Sequence, residues 1–179
     1  MVTIIFESHS TTLDNEQMLS SGWYDVDLSK LGKAQARQLG ERRKDEDFAA
    51  IFCSDLKRSY NTAEIAFAGL KINLIKDARL RETNYGDLTR HPESQVTHQR
   101  GEYVFTPFPN GESFEQGILR VKGFLRDLIR DYDSKKVLII GHRVTQYALE
   151  HYINHVPLEK AITDPWQWQP GWVYYLAQI

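Results

Sequence analysis

The chain has 179 residues, a hydrophobic fraction of 41%, a charged fraction of 26% and a formal net charge of -2 at pH 7. That length supports one domain with a sizeable core, and the charge balance argues against a general nucleic-acid or anionic-membrane surface. A single cysteine, Cys53, precludes an internal disulfide, no apolar run approaches the roughly 18 residues of a membrane span, and the N-terminus lacks the basic segment of a signal peptide. A reducing, cytoplasmic setting is the expectation.

The first strand is expected over Thr3–Phe6, running straight into Glu7-Ser8-His9-Ser10. Ser29 is placed to cap a helix reaching about Lys44, with Leu31, Ala34 and Leu39 as its apolar stripe. A strand at Ala49–Cys53 leads into a short helix from Arg58 to Ala68, closed by Gly69. Asn73–Ile75 reads as a third strand. The polar segment Tyr85–Gly111 holds Pro92, Pro107 and Pro109, and is expected to be a lid or substrate loop within a single domain spanning 1–179. The clearest helix runs from about Glu112 to Tyr132, because Phe114, Ile118, Val121, Leu125 and Leu128 recur at spacings of three and four. Val137–Ile140 is a fourth strand ending in Gly141-His142. A helix marked by Val144, Ala148 and Tyr152 follows, and Trp172–Ala177 supplies a last strand. Strands alternating with helices predict a three-layer α/β/α fold with a mostly parallel central sheet.

In such sheets ligands bind beyond the carboxyl ends of the strands. Three segments deliver polar groups there: Ser8, His9 and Asn15 after the first strand, Arg58 after the second, and His142 with Arg143 after the fourth. Glu82, between Leu80-Arg81 and Tyr85-Gly86, is a further polar candidate. Taken singly, each has an ordinary role available: His9 as a loop or cap residue, Asn15 as a cap, Arg58 and Glu82 as surface charges. Together they suit phosphate ester cleavage. A neutral imidazole attacks phosphorus, a guanidinium fork matches phosphate oxygens, a second imidazole stabilises the equatorial charge, and a protonated carboxyl serves the leaving alkoxide. The candidate residues do not show an HxxxH or CxxC metal-ligand spacing, and no cofactor is called for. His91 and His98 are candidate contacts of the 85–111 segment. Cys53 is expected to be a core residue. Trp166, Trp168 and Trp172 are expected to serve core packing or a covering flap rather than an aromatic ligand slot.

These segments resemble the histidine phosphatase superfamily, the phosphoglycerate mutase-like fold, over nearly the whole chain. The family's opening Arg-His-Gly-Glu-Thr, with Asn three residues on, is similar to Ser8-His9-Ser10-Thr11-Thr12 and Asn15. Gly22-Trp23-Tyr24-Asp25, Leu28-Ser29, Gly32 and Gln35-Ala36 follow the family's next segment. Ser54 through Ala63 resembles its Ser-x-Leu-x-Arg-x-x-x-Thr-Ala. Leu80-Arg81-Glu82 with Gly86, then Gly111-Glu112-Ser113, then Gly141-His142 complete the series. The resemblance implies that His9 is the phosphorylated nucleophile and Glu82 the general acid. It also implies that Arg58 and His142 bind the phosphoryl group, with Asn15 as a neutral donor. It implies a phosphomonoesterase of the small-phosphatase branch, taking a small phosphorylated substrate or inorganic phosphate. A homodimer is the default assembly.

The departures cluster in the first and last blocks. Ser8 stands where the family has a phosphate-clamping arginine, Ser10 replaces its glycine, Thr11 its glutamate, and Arg143 a glycine after the second histidine. Loss of one charged hydrogen-bond pair to a dianion costs roughly 1.5–3 kcal/mol. Two outcomes are open for Arg143: it restores the missing charge, or it points to solvent or pairs with Glu7. Two functions are open accordingly: an active phosphatase, or a catalytically impaired pseudophosphatase that binds an anion or a protein. A mutase is a weaker third, since no long insertion would enclose a bisphosphate.

Overall fold

The computed structural model describes residues 1–179. Five strands, β1 (Val2–Ser8), β2 (Ala50–Cys53), β3 (Leu74–Lys76), β4 (Lys136–Gly141) and β5 (Trp172–Leu176), form one sheet in the order β3-β2-β4-β1-β5. All neighbours are parallel except β5, which runs antiparallel to β1. The inner strands are buried on both faces, so they read as continuous apolar runs rather than alternating ones. Ile139, for example, faces one core cluster and Ile140 the other.

Seven helices accompany the sheet: α1 (Leu13–Glu16), α2 (Lys30–Arg43), α3 (Lys57–Ala66), α4 (Glu93–Gln99), α5 (Phe114–Asp131), α6 (Arg143–Tyr152) and α7 (Leu158–Thr163). The expected apolar repeat of α5 is its buried face, and Ser113 with Gln116 closes a capping box at its start. Ser29 caps α2 through the amide of Gly32. The α2 stripe differs from expectation. Leu31 is 54% exposed and Ala34 lies in solvent, while Gly32, Ala36, Leu39 and Gly40 form the buried face. The helix packs by close backbone approach. A Cβ on Gly32 would stand 1.9 Å from the Thr11 carbonyl oxygen, and one on Gly40 would stand 2.0 Å from that of Ala66. Large side chains on that face would hold the helix off the loop that follows β1.

The segment from Tyr85 to Gly111 is not a bare loop. It contains α4 and short 3₁₀ turns, and Tyr85, Val96, Val104 and Phe108 anchor it in the larger core cluster. Tyr103 stacks on Phe108 with ring centroids 4.0 Å apart. Cys53 is buried, and burial pushes its thiol up to about 12, so it is inert core. No helix is long and apolar enough to cross a membrane.

Candidate active site

The order β2-β4-β1 sets the carboxyl ends of β4 and β1 side by side, with Ser8 paired to Gly141 in the ladder. One residue beyond that pair, the amide of His9 donates to the Gly141 carbonyl at 3.0 Å. The two loops therefore leave the sheet together, and the His9 and His142 rings stand 5.0 Å apart, centroid to centroid. Helix α3 ties both loops down with hydroxyls. Thr62 Oγ1 accepts from the Ser10 amide at 3.0 Å, and Ser59 Oγ donates to the Ile140 carbonyl at 2.7 Å.

Each ring has one nitrogen occupied. His9 Nδ1 lies 2.8 Å from the Ser10 carbonyl oxygen, which only accepts, so Nδ1 carries the hydrogen and Nε2 the free lone pair. His142 Nε2 lies 2.6 Å from Ser54 Oγ, while its Nδ1 is buried without a partner. Burial, followed by the positive charge of Arg58, lowers His9 to about 3, and the bond to Ser10 offsets part of that shift. Burial, then Arg58 and His9, also hold His142 well below the usual histidine range. Both rings are therefore neutral at pH 7 in the unliganded protein.

That electrostatic state has a consequence for stability. The unfolded chain binds protons on these rings near pH 6.5, while the folded chain resists them. Their contribution is intact above pH 6.5 and is lost as the pH falls toward 3. Urea unfolding from pH 7 to pH 4 is expected to lose up to about 1.4 kcal/mol per pH unit for each histidine. His9→Asn should flatten the slope, and an unchanged slope would contradict this assignment.

Arg58, on the first turn of α3, is 2% exposed. Its Nη2 donates to the Gly22 carbonyl at 2.6 Å and its Nη1 to that of Tyr24 at 3.1 Å, and it forms no ion pair. Glu82 is 7% exposed and caps α6 from outside. Its Oε2 accepts from the Arg143 amide at 3.2 Å, and its Oε1 accepts from the Val144 amide at 3.3 Å and from the Thr83 amide at 2.8 Å. The helix N-terminus favours a carboxyl group there. Its backbone is held as well, since Trp23 Nε1 donates to the Glu82 carbonyl at 2.6 Å.

His9, Asn15, Arg58, Glu82 and Arg143 line one cavity of about 120 Å³. Ser8 and His142 instead line a neighbouring cavity of about 430 Å³, which His9, Asn15 and Arg143 also border. Asn15 doubles as a cap, since its Oδ1 accepts from the Thr12 amide and the Asn15 amide donates to Thr12 Oγ1. Arg143 does not pair with Glu7, whose carboxylate is taken by Arg42 and Arg43. Instead Arg143 Nη2 donates to the Tyr147 hydroxyl at 3.1 Å, and its guanidinium lies 4.5 Å from the Trp166 ring centroid. His91 and His98 line neither cavity. The 85–111 segment contributes Tyr85, Glu93, Val96, Thr97 and Arg100 to the smaller one. Trp166 and Trp168 line the larger one. Ser54, which holds His142, and Arg100 with Tyr147 were not singled out from the sequence. Only Ser54 offered a signal, as the first residue after a strand.

This constellation can be set beside known proteins. The family model of the histidine phosphatase superfamily (branch 1) matches residues 4–169. The chain belongs to the histidine phosphatase superfamily. A phosphatase of Bacillus subtilis, PhoE, is 32% identical over 149 residues, covering 83% of this chain and 76% of its own length. Phosphoserine phosphatase 1 of Hydrogenobacter thermophilus is 32% identical over 169 residues, covering 89% and 80%. The solved structure of YhfR from Bacillus stearothermophilus superposes with a TM-score of 0.84 at 25% identity, over 99% of this chain and 96% of that one. The fold is that of the phosphoglycerate mutase-like histidine phosphatases, and the superfamily places the protein among the phosphatases.

Proposed function

We propose that this histidine phosphatase hydrolyses a small phosphorylated metabolite through a phosphohistidine on His9, without a metal or other cofactor. The observation that carries this is Arg58. A buried guanidinium with no carboxylate partner is costly to the fold, and an anion held between it, His9 and His142 would relieve that cost. The size of the cavity and the name of the phosphoserine phosphatase relative support a small substrate.

The chemistry follows from the free atoms. The Nε2 lone pair of His9 attacks phosphorus as the bond to the ester oxygen breaks. Glu82 gives its proton to the departing oxygen. Its Oε2 accepts a single backbone bond, against two at Oε1, so Oε2 has room to carry that proton. Water then attacks the phosphohistidine, Glu82 recovers a proton from it, and the nitrogen–phosphorus bond breaks to release phosphate. Arg58, His142 Nδ1, Asn15 and Arg143 hold the phosphoryl oxygens, with Ser8 beside them. The test is turnover of an aryl phosphate with and without a chelator. Turnover that survives the chelator, with acid-labile phosphate trapped on the protein, is expected. The arginine missing at Ser8 favours a second reading, a binding module without turnover. Saturable phosphate binding with no hydrolysis of any ester would establish that reading instead.

A further inference from the structure

The chemistry set out above occupies the cavity of about 120 Å³ and leaves the neighbouring one, of about 430 Å³, without a duty. His9, Asn15, Glu93 and Arg143 border both, so the two communicate beside the nucleophile. Glu82 and Arg58 line only the smaller one, whereas Ser8, His142, Trp166 and Trp168 line only the larger. A cavity of about 150 Å³ already holds a benzene ring, and the larger cavity has room for more than that. The room exists because β1 ends in Ser8, a side chain with a single oxygen beyond its β-carbon. One part of the wall is polar. His142 Nδ1 and Arg143 Nε are buried there without a hydrogen-bond partner, and Glu7 adds no repulsion because Arg42 and Arg43 neutralise it. The other part is aromatic. Trp166 is fixed, since its Nε1 donates to Gln146 Oε1 at 2.7 Å and its ring stacks on Trp172 at 6.1 Å. Trp168 stays 60% exposed. An indole left in solvent at the wall of a cavity is stabilised by a ring laid against it.

The line of attack says how a ligand reaches this space. Phosphorus lies between His9 Nε2 and the leaving oxygen, which must stand near Glu82 to receive its proton. Glu82 does not line the larger cavity, so a group inside that cavity is not the leaving alcohol. It hangs from phosphorus to one side of the line, in the place of an equatorial oxygen. We propose that the larger cavity is a subsite for an aromatic group carried on phosphorus itself, and that phosphodiesters bearing such a group are substrates alongside monoesters. This rests on the reading of His9 and Glu82 given above. The steps balance. His9 Nε2 bonds to phosphorus as the bond to the first ester oxygen breaks, and Glu82 gives that oxygen its proton. The phosphohistidine then still carries the second ester group, lodged against Trp168. Water attacks phosphorus, one of its protons returns to Glu82 and the other leaves with the product. The nitrogen–phosphorus bond breaks, and the product is a phosphomonoester in place of inorganic phosphate.

The test pairs turnover with binding. The wild-type protein is expected to release nitrophenol from bis(4-nitrophenyl) phosphate as well as from 4-nitrophenyl phosphate. Trp168→Ala should lower the ratio of diester to monoester kcat/KM about tenfold, because the ring of the monoester is the leaving group and lies on the Glu82 side. Ser8→Arg, whose side chain fills the cavity, should lower the ratio at least as far while the protein still binds phosphate, which separates a blocked subsite from a misfolded chain. Calorimetry with methyl(phenyl)phosphinate reads the subsite without hydrolysis, since both groups are joined to phosphorus through carbon. It should bind about tenfold more tightly than dimethylphosphinate, and Trp168→Ala should close that gap. Turnover of the monoester with none of the diester, equal affinities for the two phosphinates, or a ratio untouched by both substitutions would each overturn the proposal. Turnover of neither ester, with the phosphinate gap intact, would instead count against the phosphohistidine reading and leave the subsite standing.

Discussion

His9→Ala is expected to lower phosphomonoester hydrolysis by at least about 10⁴-fold and to abolish acid-labile phosphate on the protein. The size of the effect follows from the lack of a substitute. Of the two rings that meet, His142 has its Nε2 engaged by Ser54, whereas His9 has Nδ1 fixed by a carbonyl and Nε2 free. The low affinity of His9 for protons, near 3, keeps that lone pair available throughout the neutral range. A low proton affinity also makes a weak nucleophile, and the incoming dianion corrects this by raising both imidazoles toward their ordinary values as it binds. Rates from stopped-flow and phosphate labelling of the variant would check the assignment. Residual labelling on another residue would sink it.

The second large effect is expected at Arg143. Arg143→Ala should weaken inorganic phosphate binding and lower turnover by about 10²–10³-fold, the scale of one lost charged donor at a transition state. Introducing Ser8→Arg in the same chain should recover most of the loss. The ladder explains why the charge can move. Ser8 pairs with Gly141, and Arg143 is two residues past that glycine, so the two positions flank the same pair of histidines. Ser8 borders the cavity of about 430 Å³, where a longer side chain has room, and Arg143 borders both cavities. Phosphate affinity unchanged by Arg143→Ala would eliminate the compensation and favour the binding-module reading.

The parts of this architecture that were legible in the sequence share a physical cause. Strands buried on both faces announce themselves as unbroken apolar runs, and a histidine directly after such a run has few places to go. That is why the meeting of His9 and His142 could be anticipated from segments 133 positions apart. Helix α5 was equally plain, since its period was written in large side chains. Helix α2 was misjudged on its buried face because its packing depends on the absence of side chains at Gly32 and Gly40, which a search for apolar bulk passes over. Arg100 was invisible for a different reason: it lines the smaller cavity without a carboxylate partner, and pairing is a property of three-dimensional neighbours. Glu7 shows the converse. Two residues before His9, its carboxylate is neutralised by Arg42 and Arg43 at the end of α2, and Arg43 Nη2 also donates to the Pro170 carbonyl at 3.2 Å.

The strand order carries one more implication, for synthesis. Both hydrogen-bonding neighbours of β1, namely β4 and β5, are made from Lys136 onward. In the nascent chain β1 and the loop that carries His9 are therefore made well before the strands that flank them. A nascent chain that ends before β4 has an unpaired apolar strand, and must be kept from aggregating until the strands from Lys136 onward arrive.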